Sequence, residues 1–377
     1  MENLNNIPKL KEINISDIDF IQIGSVSDHI NKTGITLIYF KNPAVVGCDI
    51  SGGGPASRET PLTLSETTFV PVNSIVLSGG SAYGLTASGG VMNYLDEKDI
   101  GLKFENTNVP IVLQSCIFDL TYGNSKIRPD VKMGYDACKN AFDNTYENIQ
   151  KKINDNIKKC EICKEKQKIN KNFIICQNCL TENIKSGNYG GGVGATVCKA
   201  CGMKYAKKCG IGFSAYEYEI NNKIIKICAV VIVNAYGDIY NREGELILGL
   251  RNKENDNKQR FCIDEVLNEK NEDKNENIRI NTTIGCVIIN ANFSKAELNK
   301  LASMTRTAYG KCIRPSGMSC DGDTIYVAST SSDNENKIDL DINKAGVLCI
   351  LTMEKAIENA AKFSSITDEE YFKNIKC

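Results

Sequence analysis

Asn281-Thr282-Thr283-Ile284-Gly285 stands between a long charged segment, Arg251 to Arg279, and the β-type apolar run Ile284-Gly285-Cys286-Val287-Ile288-Ile289. A hydroxyl residue placed where a polar stretch ends and a strand begins is positioned to become a new N-terminus. Its freed α-amine would then be a general base beside the hydroxyl, a substitute for the Ser–His pair of ordinary hydrolases. The chain has a single histidine, His29, far away in sequence, so a Ser-His-Asp arrangement is unpromising. Taken alone, Thr282 and Thr283 fit equally a pair of β-formers at a strand start, held by local hydrogen bonds.

Outward from this stretch the chain alternates strands and helices. Strands are predicted at Thr36–Phe40, Ser74–Leu77, Gly210–Tyr218, Ile224–Tyr236, residues 284–290 and Asp323–Ala328. Helices are predicted from the Ser78–Gly84 turn through Leu95, from Pro129 through Phe142, after the capping box Ser294-x-x-Glu297, and over 339–363 at the end. Such alternation, with several long β-runs and no internal repeat, predicts sheets covered by helices, an α/β class. Residues 1–377 read as one catalytic domain with two interruptions, a Cys-rich insert at 145–185 and a flexible linker at 251–280.

With 377 residues, 42% hydrophobic and 24% charged, the chain can bury a large core. A net charge of -1 offers no field for nucleic acid or anionic membrane, and neither is expected as a partner. No apolar run approaches the ~20 residues that span a bilayer, and the N-terminus lacks a signal-peptide pattern. The expected location is cytoplasmic. The 17 cysteines then read as thiols in a reducing interior, with Cys228, Cys286 and Cys349 as small buried hydrophobes.

Other stretches carry candidate chemistry. Asp321-Gly322-Asp323-Thr324 puts two carboxylates at a strand start, either facing one polar site or forming a solvated turn. Asn188-Tyr-Gly-Gly191-Gly-Val-Gly-Ala-Thr196 permits close backbone approach to a substrate near Gly191, and Asn188 has the amide of an oxyanion donor. It lacks the Gly-Lys-Ser/Thr order of a phosphate-binding loop. Leu77-Ser-Gly-Gly-Ser-Ala-Tyr83-Gly84 feeds a helix whose N–H groups, with Tyr83, are further candidates for a site. Cys160-x2-Cys163 and Cys176-x2-Cys179, twelve residues apart, have the spacing of a zinc knuckle with four cysteine ligands, so a structural zinc is expected in the insert. Cys198-x2-Cys201 reads first as core cysteine.

Five stretches in order resemble one family: Asp49-Ile-Ser-Gly-Gly-Gly-Pro-Ala-Ser-Arg-Glu-Thr60, Val76-Leu-Ser-Gly-Gly-Ser-Ala-Tyr-Gly-Leu85, Gly187–Thr196, Asn281–Gly285 and Asp321–Thr324. The chain is similar to the self-processing aminopeptidases of the DmpA type, nearest the branch with the nylon-oligomer (6-aminohexanoate) hydrolases. The resemblance covers nearly all of the chain outside the insert and the linker. It implies a four-layer α/β/β/α sandwich of the N-terminal-nucleophile-like DmpA/ornithine acetyltransferase type, cut between Asn281 and Thr282 into a 1–281 and a 282–377 chain. It implies Thr282 as the nucleophile, Asp321 and Asp323 as the acids that orient it, Asn188 as oxyanion donor and Lys199 as a lysine near the site. No cofactor is expected for catalysis. The expected substrates are short peptides, amino-acid amides or β- or ω-amino oligomers, and the cleaved pairs are expected to form a homo-oligomer. Where the family reads Val-Gly-His this chain has Ile23-Gly24-Ser25, which leaves His29 as a surface or turn residue. Two other functions remain open, acyl transfer of the ornithine acetyltransferase type and an uncleaved zinc-bearing binding protein on the same scaffold.

Overall fold

A computed structural model describes residues 10–170, 172–252, 258–268, 281–330 and 338–375. Its principal strands are β1 (Ile21–Asp28), β2 (Thr33–Ile50), β3 (Val72–Ser78), β4 (Val112–Cys116), β5 (Ile211–Ile220), β6 (Lys223–Asn234), β7 (Thr282–Ile289) and β8 (Thr324–Ser329). The principal helices are α1 (Ala87–Asp96), α2 (Val131–Asp143), α3 (Tyr146–Ile157), α4 (Glu161–Ile169), α5 (Cys262–Asn268), α6 (Lys295–Cys312), α7 (Ile342–Lys362) and the short α8 (Asp368–Phe372).

Two sheets share β2. The first runs Leu10–Glu12, β5, β6, β7, β8 and then residues 45–50 of β2. The second pairs residues 33–40 of β2 with β1, and continues through β3 and β4 to Ser57–Arg58. β2 changes sheets at Lys41–Pro43, an exposed stretch where its register against β3 shifts. Proline is tolerated there because no strand pairs with residues 41–43, so its missing N–H breaks no ladder bond. The sequence pattern showed only residues 36–40 of this strand, since the polar bend interrupts its apolar run.

The side chains of β7 alternate between two cores. Ile284, Cys286 and Ile288 join Ile38, Phe40, Leu77, Val230 and Tyr326 between the sheets. Val287 and Ile289 instead meet Leu298 and Leu301 of α6 and Leu348 and Met353 of α7. Burial on both faces is why the run 284–289 is apolar throughout rather than alternating. On the other side, Val91 and Leu95 of α1 and Ala137 and Cys138 of α2 cover Leu37 and Val76 of the second sheet. The layers are thus helix, sheet, sheet, helix, the sandwich the resemblance implied. β7 and β8 are parallel, and α6 makes the crossover between them. That helix starts with the expected capping box: Ser294 N–H donates to Glu297 at 2.8 Å and Glu297 N–H to Ser294 Oγ at 3.3 Å.

Two expectations need correction. The 251–280 segment is not all linker: Cys262 of α5 is buried, its N–H held by Asp238 Oδ2 at 2.7 Å. Residues 253–257 and 269–280 of that segment lie outside the described residues. The helix expected over 339–363 is α7, but it is followed by α8. Among the described residues no helix is long and apolar enough to cross a membrane.

Candidate active site

Thr282 is the first residue of β7 and pairs with Asn234, the last residue of β6. Asn281 bridges to Asp321 just before β8. The Asn281–Thr282 peptide therefore sits at the end of the first sheet, between β6 and the 317–323 loop, and Thr282 is only 2% exposed. The Asn281 carbonyl accepts two hydrogen bonds, from Gly322 N–H at 2.7 Å and from the Thr282 hydroxyl at 2.5 Å. A Cβ on residue 322 would come within 2.8 Å of Thr282 Oγ1, so the approach requires glycine.

The acids are fixed by backbone. Asp323 accepts from Thr283 N–H at 2.6 Å and Gly317 N–H at 3.0 Å, and Asp321 from Met318 N–H at 2.8 Å. Burial raises the pKa of both above the ordinary carboxylate range, and for Asp323 the neighbouring Asp321 raises it further. The run Ser51–Gly54 lies directly on this loop: Ser51 and Gly52 N–H donate to Asp323 O, and Gly54 N–H to Asp321 O at 2.8 Å. A Cβ at Gly52 would meet Asp321 O at 2.3 Å, which explains why this stretch is glycine-rich.

Lys199 is buried, and its Nζ donates to Asn234 O at 2.9 Å and Asn234 Oδ1 at 3.0 Å. Burial lowers its pKa to about 7, against the opposing pull of Asp321. Asn234 is fully buried, its Oδ1 also accepting from Thr196 N–H at 3.0 Å and its Nδ2 donating to Phe118 O at 2.9 Å. Nearby, Asp119 accepts from Gly80 N–H at 2.8 Å and from the Thr33 hydroxyl at 2.7 Å, and burial pushes it up to about 6. Lys208, also buried, is lowered to about 7 by the same cause and donates to the carbonyls of Gly192 and Ala195.

The structure brings Thr282, Asp321, Asp323 and Lys199 to one place. It does not bring Asn188 there. Gly187 bridges to Ile211, Ile211 pairs with Ile232, and Ile232 with Ile284, so about 14 Å of sheet separates this backbone from β7. The Asn188 amide donates instead to Ser364 O at 3.1 Å. The side-chain amide opposite Thr282 is that of Asn234, whose signal in the sequence is a lone amide closing the apolar run of β6. Gly191 is not substrate-facing either: it is buried, its N–H is held by Thr36 Oγ1, and a Cβ there would strike Ile232 and Leu77. Tyr83 is 59% exposed, with the Arg128 guanidinium 3.7 Å over its ring. His29 lies exposed in a turn. Cys160, Cys163, Cys176 and Cys179 gather in the insert, apart from this site. Cys198 is buried in the core, as read.

The helix–sheet–sheet–helix sandwich, with Thr282 at a strand start beside two backbone-held acids, is the N-terminal-nucleophile hydrolase fold. The profile of peptidase family S58 matches residues 14–148 and 153–368, and the chain belongs to that family. It is 28% identical over 330 residues to an uncharacterized aminopeptidase of Mycobacterium leprae, covering 84% of this chain and 78% of the relative. It is 21% identical over 356 residues to the 6-aminohexanoate-oligomer endohydrolase of Kocuria sp., covering 92% and 85%. Its fold is similar to that of the L-aminopeptidase D-Ala-esterase/amidase from Ochrobactrum anthropi, with a TM-score of 0.56 at 13% identity over 92% of this chain and 84% of that one.

Proposed function

We propose that this chain is a self-processing amidohydrolase in which Thr282, freed as an N-terminus, cleaves short peptides, amino-acid amides or β- or ω-amino oligomers. The observation that carries the proposal is the Asn281 carbonyl, gripped by Gly322 N–H at 2.7 Å and touched by the Thr282 hydroxyl at 2.5 Å. A carbonyl already held by an oriented N–H is prepared for the negative charge that nucleophilic attack places on its oxygen.

In processing, Thr282 Oγ1 attacks the Asn281 carbonyl carbon, and its proton passes to the Asp321/Asp323 pair, whose proton affinity burial raises, that of Asp323 to a pKa of about 7. The C–N bond breaks, nitrogen takes the proton, and an ester links Asn281 to Thr282. Water hydrolyses the ester, giving a 1–281 chain ending in a carboxylate and a 282–377 chain beginning with a free amine. The α-amine, with an ordinary pKa of about 7.7–8.0, then serves as base for the hydroxyl in substrate turnover. The substrate acyl group passes to Thr282, an amine leaves, and water releases the acid. Lys199 holds Asn234 across the sheet from the nucleophile, and the Asp pair fixes the start of β7. The M. leprae aminopeptidase and the Kocuria 6-aminohexanoate-oligomer endohydrolase support amide bonds as the substrate class.

Intact mass under denaturing conditions tests the reading. The wild type should give two fragments that join between Asn281 and Thr282, and Thr282→Ala a single full-length chain without amidase activity. A wild-type chain that stays whole through prolonged incubation would remove the proposed base and sink the mechanism.

A further inference from the structure

We propose that Cys160, Cys163, Cys176 and Cys179 hold one structural Zn2+, and that this ion fixes the strap leading into the glycine-rich run 187–196. The four Sγ atoms all lie within 4.8 Å of one another. Cys160–Cys176 and Cys176–Cys179 are each 3.7 Å apart and Cys163–Cys179 3.6 Å. Tetrahedral zinc with bonds of ~2.3 Å requires sulfur–sulfur edges of about 3.8 Å. Three of the edges are therefore at the length a zinc ion would impose. Cys176 and Cys179 each touch two other thiols, a closed cluster rather than two separate pairs.

The local backbone suits ligands. Cys160 is the N-cap residue of α4 and Cys163 lies in its first turn, so the first pair stands at the positive end of a helix, favourable to thiolates. The second pair spans the 3-10 turn Gln177–Cys179. Both are right-handed turns, which explains how the pairs form without the glycines usual in zinc knuckles. Cys176 N–H points at Cys163 Sγ, 3.4 Å away, the N–H···S contact that supports a metal-bound sulfur. Cys163 and Cys179 are buried while Cys160 and Cys176 are partly exposed, so an ion could enter from solvent.

The consequence lies in the strap between the cluster and the run 187–196. Ile175, Leu180 and Ile184 pack into the inter-sheet core. Asn14 holds Ile175 N–H at 2.7 Å, Gln177 holds Ser186 N–H at 2.9 Å, and Asn183 holds Ser25 N–H at 2.8 Å. A metal tying 160 and 163 to 176 and 179 closes the 160–179 loop and pins the start of this strap, and its binding energy becomes folding energy for the segment.

The test uses the full-length protein, purified without chelator under reducing conditions, with zinc measured by elemental analysis and Co2+ as a substitute probe. We expect about one zinc per chain, and on exchange the visible spectrum of tetrahedral thiolate-bound Co2+. Cys163→Ser should lose the zinc, and Cys201→Ser, in the third Cys-x2-Cys pair, should keep it. Protein that carries no zinc and takes up neither Zn2+ nor Co2+ overturns the proposal, as does iron in the site or a Cys160–Cys176 disulfide in the native chain. Wild-type metal content and the Co2+ spectrum decide the matter even if Cys163→Ser does not fold. Neither readout depends on self-cleavage, so the two proposals stand or fall separately.

Discussion

The Thr282 site and the cysteine cluster are assembled in opposite ways. The first draws together residues 51–54, 199, 234, 281–283 and 317–323, far apart in the chain, through the registers of β6, β7 and β8. The second is made within residues 160–179, by two turns that bring thiols together but form few backbone bonds with the rest of the fold. At the first site the sheet fixes the geometry, and almost every polar group there has a partner before any ligand arrives. At the second, the groups brought together are sulfurs, which gain little from one another, and a bound ion would supply what the backbone does not. A site of the first kind should respond sharply to a single added atom. A site of the second kind should respond to removal of metal.

Gly322 offers the sharpest way to break that contrast. Its N–H holds the Asn281 carbonyl, and a Cβ would lie 2.8 Å from Thr282 Oγ1 and 3.0 Å from Gly54 O. Gly322→Ala keeps the N–H but displaces it or the hydroxyl. Loss of one well-placed oxyanion donor slows acyl chemistry by ~10²–10³-fold, so processing of Gly322→Ala should slow by about a hundredfold or more, read as accumulation of full-length chain over time. Processing at the wild-type rate would mean that this N–H does not stabilise the developing charge.

Lys199 tests the electrostatics of the same site through stability. Its pKa is brought from 10.5 down to about 7 by burial. Between those values the unfolded chain holds a proton that the folded chain does not, so folding stability rises with pH in that window. Below pH 7 the lysine is charged in both states and contributes no slope. The unfolding free energy of wild type minus that of Lys199→Met should therefore climb by ~1.4 kcal/mol per pH unit between pH 8 and 10. Subtraction removes the like-signed contribution of Lys208. The raised carboxyls of Asp321 and Asp323 act oppositely at lower pH: above the ordinary carboxylate pKa they keep their protons in the fold while the unfolded chain loses them, so stability falls as pH rises toward their raised values. A flat difference above pH 8 would show that Lys199 stays charged in the fold.

Much of this arrangement was legible in the residues. The run 284–289 announced its strand, Ser294 and Glu297 announced α6, and five ordered stretches, by their resemblance to one family, pointed to the sandwich. What was hidden shares one cause. β2 continues through a polar bend that looks like a loop, and α5 is a charged helix anchored by Cys262, whose burial depends on Asp238 from elsewhere in the chain. Asn188 sits in the most conspicuous run of small residues, yet sheet register carries it about 14 Å from β7. Asn234 is one amide at a strand end, and only pairing with Thr282 gives it meaning. Local patterns report on elements; which ends of those elements meet is decided by register and by contacts distant in sequence.

The smallest effect separates two neighbouring hydroxyls. Thr283 Oγ1 is buried without a hydrogen-bond partner, while its N–H is held by Asp323 at 2.6 Å. Valine has nearly the same shape, keeps the N–H, and removes the unsatisfied oxygen, so Thr283→Val should gain ~1 kcal/mol of stability in a denaturant titration. The side chains of 282 and 283 point to opposite faces of β7, so only one of them can reach the 317–323 loop. That one is Thr282, whose Oγ1 lies against Gly322, so Thr283→Val should be processed at the wild-type rate and its new chain should begin with Thr282, as N-terminal sequencing would show. A new N-terminus at residue 283 in the wild type, or a Thr283→Val chain that stays whole, would move the nucleophile by one residue and turn it toward the other side of the sheet.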